Sequence, residues 1–330
     1  MLPAGPAGRR VGYRKNEMDL LPGIPLGRTR RTLRGPAVAT EGLLLVAHGS
    51  RCVQSESQVH ALADLVSAAL PGVAVDVGFL EMTDPPAGEV LDRLVERGCR
   101  RLAVLPVVLL GAGHAKSDVP AVLLDARRRH PAVEFRFGRP LGVSREPVEL
   151  LGKAVTASGC AGLPLLVVAR GTSDPDANAE AYKAARLIAE WTGAPFVHAG
   201  YSGVTTPSVP EAAELFGRLG YRRVAVAWWY LFHGRLIENG RRELAAAAAG
   251  GVEFVDCGYL GPDPALVPLV AARYREAVRG TVAVNCDTCA YRAPWPGRED
   301  RVGQAIGVGH SHLASEHFHR AAGHLHSDAP

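Results

Sequence analysis

The sequence contains few cysteines, and most of them are isolated. There are six in 330 residues, and only Cys286 and Cys289 lie close together along the chain. Small secreted domains that depend on disulfides have many more cysteines at close spacings, so a disulfide framework is excluded. This cysteine usage is typical of a reducing compartment, and we expect a cytoplasmic protein.

Long apolar runs and a strong charge of one sign are also missing. No stretch approaches the ~20 apolar residues of a membrane span, and the N-terminal segment lacks the apolar core of a secretory signal. The net charge is +4, and eight basic residues against two acidic ones lie in residues 1–40. We expect neither nucleic-acid nor membrane binding by the nearly neutral remainder. Residues 1–40, rich in proline, glycine and arginine, are predicted to be a disordered basic extension.

The main body of the chain is an internal duplication. Residues 43–50, LLLVAHGS, return as residues 165–172, LLVVARGT, so that Arg170 stands 122 positions after His48. An ungapped match that continues through Gly98 and Gly220 indicates two copies of one folding unit. We predict one domain over residues 41–160, a second over residues 161–280, and a C-terminal tail over residues 281–330.

Each copy alternates short apolar runs with amphipathic stretches of helical spacing. The order β-α-β-α-β-α-β-α predicts an α/β fold in which each domain is a parallel sheet with helices on both faces. Ser117, Asp118 and Pro120 predict the capped start of one helix. The segment Trp228–Tyr230 is predicted to be core. The strands predicted in the first copy are Leu43–Ala47, Val73–Leu80, Leu102–Leu110 and Val133–Phe137.

Side chains able to bind a metal follow three of these strands. His48 ends the first strand, Glu81 follows the second, and His114 lies in a glycine-rich loop after the third. Because ligands of open parallel sheets bind beyond the carboxyl ends of the strands, we expect the three side chains at one edge. Two imidazoles and a carboxylate suit a divalent ion and leave coordination positions open. The second copy has Arg170 and Gly203 at the first two positions, which predicts an anion site there.

These segments resemble a known family. The runs VAHGSR at 46–51, EMTDP at 81–85 and LLGAGHAKSDVP at 109–120 are similar to those of the sirohydrochlorin chelatases of the CbiX/SirB family. The resemblance implies a class II chelatase in its long, two-domain form, which works without nucleotide hydrolysis. It implies that His48 and His114 bind the incoming metal, Fe²⁺ for sirohaem or Co²⁺ for cobalamin, and that Glu81 acts at the macrocycle.

Metal insertion requires two pyrrole N–H protons to leave the tetrapyrrole. A neutral imidazole can hold the ion or accept a proton, and a desolvated Glu81 can accept the other. The carboxylates of the substrate require anion-binding groups, and we expect the second copy to clamp the macrocycle in an interdomain cleft. The residues predicted to bind the substrate are Ser50, Arg51, Gly111, Ala112, Gly113, Lys116, Arg170 and Arg235.

The tail carries two further patterns. Cys286 and Cys289 form a lone Cys-x-x-Cys pair, which can be half a zinc site, part of an iron–sulfur site, or no site at all. The resemblance implies an iron–sulfur cluster there. Half of the twelve histidines lie in the last stretch, which predicts metal capture by a flexible arm. These histidines are His310, His312, His317, His319, His324 and His326.

Two other functions stay open at this point. A metallochaperone or tetrapyrrole carrier would use the same cleft without turnover, and a metal store would depend on the histidine-rich tail. A base at Glu81 beside two histidines favours the enzyme. Imidazole and carboxylate accept both iron and cobalt, so either metal fits. The expected partner is sirohydrochlorin or a related tetrapyrrole, and the expected state is a monomer or a homodimer.

Overall fold

The structure, a computed structural model, describes residues 40–284, 288–289, 291–292, 294, 296–297 and 299–303. Residues 1–39 of the predicted basic extension and the tail histidines therefore lie outside the described residues, as does Cys286 of the Cys-x-x-Cys pair. Among the described residues, no helix is both long enough and apolar enough to cross a membrane.

Each copy forms a four-stranded parallel sheet, which confirms the predicted α/β fold and its duplication. The first sheet has the strand order β2-β1-β3-β4, and the second repeats it as β6-β5-β7-β8. The strands are β1 (Glu41–Ala47), β2 (Val73–Phe79), β3 (Arg101–Pro106), β4 (Glu134–Phe137), β5 (Leu165–Gly171), β6 (Val197–Gly203), β7 (Arg223–Trp229) and β8 (Glu253–Tyr259).

A helix follows every strand in the chain order. The helices are α1 (Val53–Ala69), α2 (Ala87–Glu96), α3 (Val119–Arg129), α4 (Arg145–Ala157), α5 (Pro175–Thr192), α6 (Val209–Arg218), α7 (Arg235–Ala247) and α8 (Val267–Arg279). One π-helical turn, His114–Asp118, precedes α3. Short 3₁₀ turns occur at Ala248–Gly250, Pro264–Leu266 and Glu299–Arg301.

The central strands are buried on both faces, which explains their uninterrupted apolar sequences. In β1, Leu43 and Leu45 point into one hydrophobic core, while Leu44 and Val46 point into another on the opposite face. Alternate residues of a strand face opposite sides, so a strand covered by helices on both sides needs apolar residues throughout.

The last helix of each copy packs against the sheet of the other copy. Helix α4 covers β7 and β8, and helix α8 covers β3 and β4. The Arg273 guanidinium on α8 donates to the Leu141 carbonyl at 2.9 Å, and the Tyr274 hydroxyl donates to Glu41 at 2.7 Å. A single hydrophobic core runs through both halves as a result. This exchange of helices, which the sequence did not predict, ties the two copies together.

The third strand is shorter than the sequence predicts. It ends at Pro106, although the apolar run continues to Leu110. The Val107 N–H still donates to the Val46 carbonyl of β1 at 2.8 Å, and residues 107–110 line a cleft between the two halves. Their apolar character serves both the wall of this cleft and the core, in which Val107 and Leu109 are buried.

Candidate active site

A cleft of about 470 Å³ lies between the two halves. The first half contributes residues 47–50, 107–110 and 112–115 to its lining, and the second half contributes residues 170–173 and 229–232 among others. These segments follow the carboxyl ends of β1, β3, β5 and β7, where ligands of parallel sheets bind.

His48, Glu81 and His114 meet at this cleft. Each offers one ligand atom that lies within 4.8 Å of the other two, and no other group of three such residues occurs in the part of the chain that the structure describes. The imidazole rings of His48 and His114 lie edge to face, with centroids 4.3 Å apart. The structure therefore brings together the three side chains that the sequence placed after separate strands.

The hydrogen bonds of His48 determine which ring nitrogen is available. Its Nδ1 lies 3.1 Å from the Gly49 carbonyl oxygen, which can only accept, so Nδ1 carries the proton of the neutral ring. Nε2 then presents its lone pair to Glu81 Oε1, 3.0 Å away. A positive charge nearby stabilises two acceptors at this distance: the Arg170 guanidinium lies 3.4 Å from Nε2, and a proton or a metal ion between the two atoms would satisfy both.

His48 is neutral near pH 7. Burial, followed by the positive charge of Arg170 and by the neighbouring His114, lowers its pKa to about 4 and outweighs the opposing effects of the Gly49 hydrogen bond and the Glu81 carboxylate. Neutral imidazole is the form that binds a metal. The site thus holds His48 ready for a cation over the neutral pH range.

Asp118 orients the second imidazole. Its Oδ2 lies 2.5 Å from His114 Nδ1, across the π-helical turn His114–Asp118. A carboxylate on one ring nitrogen fixes the proton there and leaves the other nitrogen for a metal. The sequence predicted a capped helix start at Ser117 and Asp118, but the side chain of Asp118, the residue at the N-cap position, caps no backbone N–H of α3. The spacing of four residues from His114 was the available signal, because it puts both on one helical face.

Gly49 allows the two loops of the cluster to approach each other. It adopts φ +97°, and a Cβ added there would lie 1.7 Å from the Glu81 carbonyl oxygen. The Glu81 N–H donates to the His48 carbonyl at 3.0 Å, and the Ser50 N–H donates to Thr83 Oγ1 at 2.9 Å. Only glycine fits between these loops without moving Glu81 away from His48.

We expect Gly49→Ala to destabilise the fold and weaken metal binding, because both the left-handed backbone and the collision with Glu81 oppose a side chain. Gly72→Ala is the matched control, since Gly72 adopts φ +86° and an added Cβ would meet no atom within 4 Å. The control should cost about 1–2 kcal/mol for the backbone conformation alone, and Gly49→Ala more. Thermal unfolding and Co²⁺ titration measure both effects. Equal losses in the two variants would mean that the contact with Glu81 is unimportant.

The other predicted substrate contacts fall into two groups. Ser50, Ala112, Gly113 and Arg170 line the cleft. Arg51 and Arg235 are exposed and do not belong to its lining, and Gly111 also lies outside it. The Gly111 N–H donates instead to Glu180 Oε2 of α5 at 3.3 Å.

Lys116, which the sequence predicts to bind a substrate carboxylate, contacts two carboxylates of the protein itself. Its Nζ lies 2.8 Å from Asp174 Oδ2 and 3.0 Å from Asp176 Oδ2. Burial disfavours the charged ammonium, but the two carboxylates outweigh this effect and raise the pKa of Lys116. Its charge is balanced by the second half and is not available to a ligand in this arrangement.

At the end of its first strand, the second half carries the cationic Arg170, whereas the first half carries His48 at the equivalent position. Arg170 is exposed at the end of β5, and its guanidinium lies 3.4 Å from His48 Nε2. The following loop is ordered by reciprocal hydrogen bonds between Thr172 and Asn178, at 3.0 and 2.9 Å. Trp228 and Trp229 are buried in the core as predicted. Tyr230, predicted to be core with them, is half-buried and lines the cleft beside Trp229.

The described cysteines do not assemble a cluster site. Cys289 is buried, and its predicted partner lies outside the described residues. Cys257 lies in the core between the halves, where burial raises the pKa of its thiol above the usual range. Among the residues that the structure describes, no group of metal-binding side chains includes a cysteine.

The fold, together with the cluster of His48, Glu81 and His114, defines a two-domain α/β protein with a candidate metal-binding site at the cleft between its halves. The CbiX family model matches residues 42–158 and 164–277, one match for each copy. The chain belongs to the CbiX family, in its two-domain form.

The chain is also similar in sequence and structure to individual chelatases. The chain is 33% identical over 260 residues to the sirohydrochlorin cobaltochelatase of Priestia megaterium. This alignment covers 76% of this chain and 85% of the relative. The chain is 29% identical over 224 residues to the sirohydrochlorin ferrochelatase of the same organism, covering 67% and 84%. The solved structure of SirB from Bacillus subtilis with Fe³⁺ superimposes with a TM-score of 0.66 at 25% identity, covering 73% of this chain and 97% of that one.

Proposed function

We propose that the protein is a sirohydrochlorin chelatase that inserts Fe²⁺ or Co²⁺ into this carboxylate-rich tetrapyrrole without nucleotide hydrolysis. The observation that carries the proposal is the pair of facing acceptors, His48 Nε2 and Glu81 Oε1, 3.0 Å apart beside His114. The relatives reported above are named for this activity with cobalt and with iron. Their names lend no support to the alternative of a carrier without turnover.

The three side chains divide the work of insertion. The imidazoles of His48 and His114 hold the incoming ion by nitrogen lone pairs, and Asp118 fixes the second ring. Glu81 accepts a pyrrole proton as the ion leaves for the macrocycle, and the second proton passes to an imidazole or to solvent. Two protons depart for each divalent ion that enters, so charge balances without any other reactant.

The tetrapyrrole binds in the interdomain cleft in this proposal. A cleft of about 470 Å³ falls in the range of about 300–1,000 Å³ that is usual for small-molecule sites. The half-buried Val108 and Leu110 offer apolar surface to the macrocycle, and Arg170 offers a guanidinium to one of its carboxylates. The second copy thus contributes substrate binding, although it lacks metal ligands.

Arg170→Ala is expected to raise the KM for sirohydrochlorin, because the guanidinium matches a carboxylate. The KM for the metal should not rise, because a guanidinium cannot ligate a cation. Losing one charge-assisted contact costs about 1.5–3 kcal/mol, roughly ten- to a hundredfold in affinity. Arg235→Ala, at an exposed arginine outside the cleft lining, is the matched control. Arg170→His should weaken substrate binding in the same way and create no second active site. An unchanged KM for sirohydrochlorin in both Arg170 variants would remove the second copy from substrate binding.

The proposed function is tested by incubating the full chain with sirohydrochlorin and either Fe²⁺ or Co²⁺, without oxygen and without nucleotide. We expect the absorbance of free sirohydrochlorin to fall and that of the metallated product to rise, until each protein molecule has converted many molecules of sirohydrochlorin. Conversion that stops at one equivalent would indicate a carrier, and no acceleration over the protein-free reaction would contradict the proposal.

A further inference from the structure

We propose that Lys116 is a positioning residue, which clamps the loop carrying His114 onto the second half of the chain. The degenerate copy would then set the geometry of a metal site whose ligands all belong to the first copy. This inference rests on the assignment of His114 as a metal ligand in the proposed function.

The clamp is a charge pair that is largely shielded from water. Lys116 is the third residue of the π-helical turn that begins at His114. Its ammonium contacts Asp174 Oδ2 at 2.8 Å and Asp176 Oδ2 at 3.0 Å, and the side chains of Lys116 and Asp174 are 15% and 5% exposed. Charge-assisted hydrogen bonds of this length are strong and directional.

The acidic side of the clamp is itself fixed to a rigid element. Asp174 is the N-cap of the 18-residue helix α5, where its side chain accepts from the Asp176 N–H at 3.1 Å. The Asp174 N–H donates to Thr172 Oγ1 at 3.0 Å, and Asp176 Oδ1 accepts from the Thr288 hydroxyl at 2.7 Å. Helix α5 contributes several residues to the core shared by both halves, so Lys116 is anchored to a part of the molecule that does not follow the loop.

A second contact holds the other end of the same loop. The Gly111 N–H donates to Glu180 Oε2 at 3.3 Å, about one helical turn further along α5. His114 therefore lies between two anchoring points on one helix of the second half. Gly111 and Gly113 give the loop a freedom that other residues would restrict, and a metal ligand has to stay within about 0.5 Å of its working position. The two anchors supply the restraint that the loop sequence lacks.

The test measures Co²⁺ affinity of the full chain without tetrapyrrole, together with the KM for sirohydrochlorin and the thermal midpoint. Groups that orient a metal ligand typically contribute 10–100-fold to metal affinity, so we expect Lys116→Met to weaken Co²⁺ binding about tenfold with an unchanged KM for sirohydrochlorin. Lys116→Arg should restore most of the affinity, because a guanidinium can bridge both carboxylates. Lys153→Met, at an exposed lysine of α4, is the control.

Asp176→Asn provides a variant that keeps the shape of the clamp and removes one charge. It should weaken Co²⁺ binding less than Lys116→Met, since the contact with Asp174 remains. A variant that combines Lys116→Met with Asp176→Asn should bind Co²⁺ no more weakly than Lys116→Met alone, because both changes remove the same interaction.

Two results would overturn the proposal. A lowered thermal midpoint with unchanged Co²⁺ affinity in Lys116→Met would make the pair a purely stabilising one. A raised KM for sirohydrochlorin with unchanged Co²⁺ affinity would make Lys116 a substrate contact after all. Since Co²⁺ affinity is measured without insertion, loss of affinity in Lys116→Met would support the clamp even if the wild-type chain failed to convert sirohydrochlorin.

Discussion

Replacing His48 or His114 by alanine is expected to abolish metal insertion while leaving the fold intact. Both side chains lie beyond strand ends, at the surface of the cleft, and contribute little to the cores beneath the sheets. Either replacement leaves one imidazole and one carboxylate for the ion. In the His114 variant, Asp118 also loses the ring that it orients at 2.5 Å.

The measurement is the initial rate of absorbance change of sirohydrochlorin with Fe²⁺ or Co²⁺, alongside thermal unfolding of each variant. His60→Ala is the control, because His60 is an exposed histidine of α1 that belongs to no group of possible metal ligands among the described residues. A rate close to that of the wild type in either cluster variant would remove the assignment of the metal site.

Glu81→Gln should retain sirohydrochlorin binding and lose turnover. Glutamine keeps the size of the side chain but cannot accept a pyrrole proton, and removal of a general base typically costs 10²–10⁴-fold in rate, so we expect a fall in kcat of about that size. It also deletes the negative charge 3.0 Å from His48 Nε2, which helps to hold a cation at the cluster.

The control for Glu81 is Glu56→Gln, since Glu56 also lines the cleft but is not part of the cluster. Single-turnover rates and KM values for sirohydrochlorin separate the two possible roles of Glu81. If affinity for sirohydrochlorin fell while turnover stayed the same, Glu81 would be a positioning group and the base would be another residue.

The duplication and the α/β fold could be predicted because they leave local signals in the sequence. Buried strands such as Leu43–Ala47 are apolar throughout, and the repeat places His48 and Arg170 at equivalent strand ends. Topology then requires side chains that follow neighbouring parallel strands to meet at one edge. The meeting of His48, Glu81 and His114 needed no further information.

Other features depend on contacts between distant parts of the chain, which local patterns do not record. The apolar face of α4 has the same pattern whichever sheet it covers, so the exchange of α4 and α8 left no signal. Residues 107–110 are apolar because they line the cleft and because Val107 and Leu109 are buried in the core, and the same run would suit a longer strand. Register places Lys116 near the site, but its partners Asp174 and Asp176 come from the other copy.

Asp118 illustrates a different difficulty, in which one residue type has two local uses. An aspartate just before a helix predicts a cap, and the same aspartate four residues after a histidine can accept its ring proton. The π-helical turn His114–Asp118 decides between them, because it directs the carboxylate to His114. The hydrogen bond that fixes the tautomer of His114 was therefore found only in the structure.

The position of Co²⁺ in crystals of the full chain tests the assignment of the metal site most directly, since anomalous diffraction locates the ion without relying on turnover. We expect one strong peak in contact with His48, Glu81 and His114, with its remaining coordination positions open to the cleft. A peak bound only by other side chains, with none at these three residues, would contradict the assignment.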